Sequence, residues 1–323
     1  FRSRKKLLQI WIKECIGDDF ILSDASADAS FRKYYRVKTS EKTLILMDAP
    51  PDKESISDYL KVGVEMVNQG INAPKIFYKN QELGFILMED FGDKTFLKEF
   101  LSKGLKDLYI RAIDNIINMQ LLLKINNLEK YTEEKLYTEI CLFNEWYLDK
   151  YKKINLSSKE IADLEITFKK VISNNVTQNQ YFVHRDYHSR NLMVLENNDL
   201  GILDFQDAVL GPMTYDLVSL LKDAYIELAE EDVIDLVINF WEKAVEKNLL
   251  QKGDFSDFFM QYELMGVQRH LKVLGIFSRL SIRDHKNNYL EDIPLVEKYL
   301  LKASERYQFL SPLKKILLRS MDA

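Results

Sequence analysis

The spacing of apolar positions changes along the chain, and each change marks a group of elements. Residues 5–16, Lys-Lys-Leu-Leu-Gln-Ile-Trp-Ile-Lys-Glu-Cys-Ile, carry apolar side chains at helical spacing and predict an amphipathic opening helix. From Phe20 to Met88 the period shortens. Phe20-Ile21-Leu22, Phe31 to Val37 and Thr43 to Met47 read as consecutive strands of an antiparallel sheet, with the small polar turn Ser23 to Ser30 between the first two. Pro50-Pro51 ends the third strand, because proline has no N–H to give to a ladder. A helix from Ser55 to Gln69 is stopped by Gly70, and Ile76 to Tyr78 and Gly84 to Met88 complete a small β-rich lobe.

After Glu89-Asp90-Phe91-Gly92 the pattern is mostly helical. Leu108 to Ile125 is apolar on more than one face, which predicts a buried helix. Thr132 to Tyr151 predicts a second, and Ser157 with Glu160 forms a capping box for a third that runs to Ser173. One β island interrupts the helices: Tyr181-Phe182-Val183, Leu192 to Leu195, the turn Asn197-Asn198-Asp199, and Gly201 to Leu203. Helices resume beyond Gly211-Pro212. The expectation is an α+β chain of two lobes, a small antiparallel sheet lobe over residues 1–90 and a larger helical lobe with a hairpin over residues 91–323.

Composition narrows the classes. The chain has 323 residues, 46% hydrophobic and 29% charged, which is a globular balance and long enough for two cores. A formal net charge of −5 lacks the basic stripe of a nucleic-acid binder, and no run is long and apolar enough to span a bilayer. Two cysteines, Cys15 and Cys141, cannot build a disulfide framework or a tetrahedral metal site. The basic start, Phe1 to Lys6, is not followed by an apolar segment with a cleavage site, so a cytoplasmic protein is expected. No pattern points to a particular oligomeric state.

The β island carries the chemistry. It reads Val183-His184-Arg185-Asp186-Tyr187-His188-Ser189-Arg190-Asn191-Leu192, then Ile202-Leu203-Asp204-Phe205-Gln206. Phosphoryl transfer needs a carboxylate facing the acceptor hydroxyl, a divalent cation on the phosphates and ligands for that cation. A loop that leaves one strand with Asp186 and returns with Asn191, and a second strand ending in Asp204, would converge those three side chains. His-x-Asp-x-x-x-x-Asn alone is moderate evidence. Asp204-Phe205 at the end of the next strand makes coincidence a poor explanation, although the bland alternative is a turn whose Asp and Asn satisfy backbone groups.

Companions follow in order. Ser26 to Ser30 is a candidate phosphate-covering loop of small side chains, with Ser30 and Phe31 at its end, or else an ordinary hairpin turn. Met88, Glu89 and Phe91 lie where a strand runs into a polar hinge, the place at which kinase-like folds hold adenine. One part is missing: the third strand ends Leu46-Met47-Asp48, with no lysine for the phosphates. Arg32, Lys33 and Arg36 on the second strand are the candidate replacements. Glu65, the acid available on the following helix, reads as a solvated residue.

These segments resemble the aminoglycoside-phosphotransferase-like small-molecule kinases over nearly the whole chain. Within that group the chain looks most like the bacterial kinases that phosphorylate the anomeric hydroxyl of N-acetylmuramate and N-acetylglucosamine in cell-wall recycling. The closer likeness rests on Ala27 to Arg36, Met47-Asp48-Ala49-Pro50-Pro51, Leu142 to Tyr147, His184 to Asn191, Asp204 to Pro212, Gln268 to Phe277 and Tyr289 to Pro294. The resemblance implies a two-lobed protein-kinase-like fold, ATP as co-substrate and Mg²⁺. It implies Asp186 as the catalytic base, Asn191 and Asp204 as metal ligands, and Asp216 as a structural brace whose place at a helix start also suits an N-cap. It implies a small-molecule amino-sugar acceptor. For that sugar, Arg269, Lys272, Arg279 and Arg283 are the candidate cations for a lactyl carboxylate, with Arg269 preferred, or else a solvated basic face; Glu145 beside Trp146 is a candidate for the pyranose, or else core and rim. The rival expectations are an aminoglycoside- or choline-type kinase and a nucleotide-binding pseudokinase.

Overall fold

A computed structural model describes residues 4–27, 31–104 and 106–322. In chain order it contains α1 (Arg4–Ile16), β1 (Ile21–Ala27), β2 (Lys33–Lys38), β3 (Thr43–Asp48), α2 (Ser57–Asn68), β4 (Ile76–Asn80) and β5 (Phe85–Glu89). Next come α3 (Phe96–Lys103), α4 (Asp107–Leu122), α5 (Glu133–Ile140), a π-helix (Phe143–Tyr151), α6 (Ser158–Val176) and β6 (Gln180–Val183). The chain continues through β7 (Leu192–Val194), β8 (Leu200–Ile202), β9 (Val209–Pro212), α7 (Tyr215–Leu221), α8 (Glu230–Glu246), α9 (Phe255–Asp284), α10 (Ile293–Arg306) and α11 (Ser311–Met321). Two compact units result: residues 1–96 with 191–207, and residues 97–190 with 208–323.

In the first unit the strands form a five-stranded antiparallel sheet, ordered β1-β2-β3-β5-β4. Alternation sets its two faces. Val37 of β2, Leu44 and Leu46 of β3, and Phe85 and Leu87 of β5 point toward α1, where Leu8, Trp11 and Ile12 close a core with the Trp11 and Phe85 rings 5.5 Å apart. Each such buried side chain contributes about 1.5–3 kcal/mol of hydrophobic stabilisation. Asp48, next in that alternation, is buried and bonds to Arg4 Nε at 2.7 Å. The small β7–β8 hairpin also belongs to this unit, with the Ile202 N–H donating to the Asn72 carbonyl at 2.7 Å.

The second unit is built around α9, a 30-residue helix buried along most of its length. Gly275 lets it approach the start of the π-helix: a Cβ there would lie 2.5 Å from the Leu142 backbone. The capping box of α6 is present, with the Ser157 N–H donating to Glu160 Oε2 at 2.8 Å and the Glu160 N–H to Ser157 Oγ at 3.3 Å.

Two local expectations need correction. The helix over Thr132 to Tyr151 is α5 followed by the π-helix. The β island is two sheets, because β6 pairs with β9 while β7 pairs with β8. Helices do resume beyond Gly211-Pro212, with α7, while the pair itself ends the strand β9; Pro212 is tolerated there because it lies at the end of a two-stranded ladder.

Candidate active site

In the second unit the catalytic-loop candidate leaves β6 through a turn that the backbone alone would resist. Arg185 has φ +77°, a left-handed conformation unfavourable for a side chain with a Cβ. Asp216 holds it there: its carboxylate accepts from the His184 N–H at 2.7 Å and the Arg185 N–H at 3.0 Å. The N-cap position of α7 is Thr214, so Asp216 is a brace and not a cap. Burial pushes the Asp216 pKa up to about 6 against those two donors. His184 Nδ1 accepts from the Asp186 N–H at 3.2 Å and fixes the next peptide.

Asp186 is half-buried. Withdrawal from water raises its pKa, but the positive charges of Lys272, Arg269 and Arg185, with the nearby His188, overcome that and leave it below the ordinary aspartate value. The carboxyl is ionised at neutral pH. Two of those cations are already committed. Arg185 and Lys272 both pair with Glu139, Lys272 at 3.1 Å, and Lys272 also donates to the Tyr215 hydroxyl at 3.2 Å. Glu139 further accepts from the Tyr131 hydroxyl. Burial raises the Glu139 pKa, and Lys272 and Arg185 more than reverse it.

Arg269 is different. It is 5% exposed, and neither Nε nor Nη1 has a hydrogen-bond partner among the described residues. Of the other α9 cations, Arg279 is half-buried with Nε unpartnered, and Arg283 is an exposed partner of Asp284 at 2.8 Å. Glu145 is exposed and pairs with Lys150 at 2.8 Å, whose ammonium lies 3.6 Å from the Trp146 ring centre.

The first unit gathers the metal-ligand candidates. Asn191 Nδ2 lies 3.4 Å from Asp204 Oδ2, and the Leu203 N–H donates to the Asn191 carbonyl at 2.9 Å, so β7 and β8 bring the pair together. Asp204 has φ +62°. Its Oδ1 accepts from Gln206 Nε2 at 2.7 Å and faces Arg32 Nη1 at 3.4 Å. Phe205 is fully buried against α2, its ring 4.6 Å from that of Tyr59, over Gly63, where a Cβ would come within 2.9 Å of Phe205.

The three replacement cations separate. Arg36 spans Asp90 at 2.7 and 3.1 Å and reaches Asp93 at 2.9 Å, clamping the hinge. Lys33 is exposed and, by alternation, on the sheet face opposite Tyr34 and Arg36. Arg32 is 5% exposed and pairs with Glu54 and Asp204. Glu54 escaped the sequence reading because it precedes α2; Glu65, on that helix, bonds to Gln69 at 2.9 Å. At the hinge, the Glu89 N–H donates to the Lys75 carbonyl at 2.9 Å, Met88 Sδ accepts from the Tyr59 hydroxyl at 2.9 Å, and Phe91 packs on Gly201. Phe31 is 65% exposed, and Ser30 lies outside the described residues. No helix among the described residues is long and apolar enough to cross a membrane.

Residues 22–244 match the sequence profile of the phosphotransferase enzyme family, in which ATP is the implied co-substrate. The chain is 40% identical over 320 residues to a Neisseria meningitidis protein named N-acetylmuramate/N-acetylglucosamine kinase, covering 97% of this chain and 95% of that one. A Pseudomonas aeruginosa protein of the same name is 36% identical, covering 98% and 96%. Among solved structures, a choline kinase from Streptococcus pneumoniae superposes with a TM-score of 0.66 at 11% identity, covering 92% of this chain and 99% of that one. An ADP-bound aminoglycoside phosphotransferase superposes with a TM-score of 0.59 at 14% identity, covering 94% and 99%. The two structures share the kinase-like fold.

Proposed function

This chain belongs to the phosphotransferase enzyme family and is a kinase, and from that premise we propose that it transfers the γ-phosphoryl group of ATP to the anomeric hydroxyl of N-acetylmuramate, N-acetylglucosamine or both. The observation that carries the reading is an ionised Asp186 within electrostatic reach of a buried Arg269 whose Nε and Nη1 have no hydrogen-bond partner among the described residues. One supplies a base and the other a receptor for an anionic group. Choline and aminoglycosides are cations, which an unpaired guanidinium would repel. N-acetylmuramate carries a lactyl carboxylate, which a guanidinium fork binds well.

In this reading Asp186 accepts the proton of the anomeric hydroxyl as its oxygen bonds to phosphorus and the bond to the leaving ADP breaks. An anomeric hydroxyl is more acidic than an ordinary alcohol, so a carboxylate of lowered pKa suffices as the base. Asp216 and His184 hold the loop that presents it. Asn191 and Asp204 suit Mg²⁺: both offer hard oxygens, they lie within hydrogen-bonding distance of one another, and Mg²⁺ usually takes only one or two protein ligands beside phosphates and water. When bound, the ion would neutralise charge on the phosphates. Arg32 would add a second positive charge, and the hinge at Met88, Glu89 and Phe91 would hold the base. A place in the cytoplasm, acting on amino sugars released from the cell wall, goes with this acceptor.

The test is ADP release across N-acetylmuramate, N-acetylglucosamine, glucose, choline and an aminoglycoside. Turnover should appear with the amino sugars. It should fall by about 10³-fold in Asp186→Asn while nucleotide still binds. Turnover with choline or the aminoglycoside alone would overturn the proposal, as would an Asp186→Asn enzyme of undiminished rate.

A further inference from the structure

The kinase pattern calls for a cation on the third strand, and this chain has Met47 there, fully buried and opposite Tyr34 across the ladder. The strand itself provides no substitute, since Asp48 is turned toward α1 and bonded to Arg4. What the first unit contains instead is a continuous polar set, the charged Glu54–Arg32–Asp204 followed by the amide of Asn191, from the segment ahead of α2 to the two metal-ligand candidates.

We propose that Glu54 is the positioning residue that holds Arg32 on the nucleotide phosphates, so that the Glu54–Arg32 pair replaces a third-strand lysine and its helix acid. The inference rests on the phosphoryl-transfer reading above.

Glu54 is held where the pair needs it. The Pro50 carbonyl accepts from the Lys53 N–H at 2.9 Å and the Glu54 N–H at 3.0 Å, so the turn after Pro50-Pro51 fixes the Glu54 backbone. One oxygen of Glu54 pairs with Arg32, while Oε2 is buried without a partner among the described residues. A carboxylate withdrawn from water in this way is costly unless a cation stays beside it. Arg32 is equally committed, being 5% exposed between two acids.

The arrangement suits the purpose on charge grounds. Were Asp204 to hold a cation, its pull on Arg32 would weaken, and Glu54 would still hold the guanidinium. Its planar fork then remains in place for a phosphate oxygen rather than relaxing into solvent. Phe205, seated between Tyr59 and Gly63 of α2, registers Asp204 to the same helix that Glu54 precedes. A displacement of α2 would therefore shift both ends of the set.

The experiment is a fluorescence titration of the full chain with Mg·ADP, without acceptor, on Arg32→Ala, Arg32→Lys, Glu54→Gln and Arg32→Ala/Glu54→Gln. Arg32→Ala should weaken Mg·ADP about 30-fold, Glu54→Gln about 5-fold, and Arg32→Lys should fall between. The double variant should bind no more weakly than Arg32→Ala, because Glu54 acts only through Arg32. Acceptor KM should not move in Glu54→Gln. If Arg32→Ala does not fold, the same cycle is run with Arg32→Lys. Unchanged affinity in the Arg32 variants, additive losses in the double variant, or a loss confined to acceptor KM would overturn the proposal and leave the kinase reading standing. A wild-type chain that binds no Mg·ADP would overturn both.

Discussion

Arg32 in the first unit and Arg269 in the second are buried to the same degree, each 5% exposed, yet they are treated in opposite ways. Arg32 lies between Glu54 and Asp204. Arg269 is left with two nitrogens unsatisfied, and three residues further along α9 Lys272 is fully engaged by Glu139 and Tyr215. A buried cation is expensive unless compensated. A paired one is therefore part of the fold's own structure, while one with donors left without partners is open to a ligand of opposite charge.

The largest effect on that contrast should come from Lys272→Met. It leaves the buried Glu139 with Arg185 and Tyr131 alone, and breaking such a pair from one side costs about 2–3 kcal/mol. Urea unfolding should show the loss directly; a variant as stable as wild type would mean that Lys272 is as uncommitted as Arg269.

Arg269→Met should behave in the reverse sense. Removing a buried guanidinium whose Nε and Nη1 have no hydrogen-bond partner among the described residues should leave stability within about 1 kcal/mol of wild type, or raise it. The KM for N-acetylmuramate should rise about 30-fold, with less than about 3-fold change for N-acetylglucosamine, which lacks the carboxylate. Equal losses on the two sugars would remove Arg269 from carboxylate recognition and weaken the comparison itself.

The sequence shows some of these features and hides others for identifiable reasons. The five strands of the sheet, the box Ser157–Glu160 and the order Asp186, Asn191, Asp204 depend on spacing over a few residues, and spacing is what a sequence displays. Glu54 was hidden because its partner, Arg32, lies 22 residues earlier and its place comes from a diproline turn, not from a helix face. The brace on the catalytic loop was seen in Asp216, but its means was not: the carboxylate reaches backbone N–H groups more than thirty residues away. The π-helix has no pattern of its own. Its start lies against Gly275, a contact that only the packing of α9 creates. Among the cations of α9, spacing could group Arg269 with Lys272, but which of them was already paired depended on Glu139, on another helix.

His270, adjacent to Arg269, shows a third way to bury a base and gives the smallest of these effects. It is 2% exposed, stacked on Tyr299 at 4.9 Å, with Nε2 3.0 Å from the Lys222 carbonyl. Burial, only partly offset by that bond, pushes its pKa down to about 3. The group is therefore neutral in the folded chain, and as a neutral ring it donates Nε2–H to the carbonyl. Below pH 6.5 the unfolded chain takes up a proton at this residue that the folded chain refuses until about pH 3. The unfolded state then binds more protons, so stability falls as pH drops through that window and is fully present above it. Between pH 7 and 5.5 the loss from this one residue should be about 1 kcal/mol. His270→Gln keeps a donor for the Lys222 carbonyl and has no charge to acquire, so its unfolding free energy should decline less over the same range. A parallel decline in both proteins would show that His270 takes its proton without unfolding, and that burial at this position of α9 does not exclude the charge.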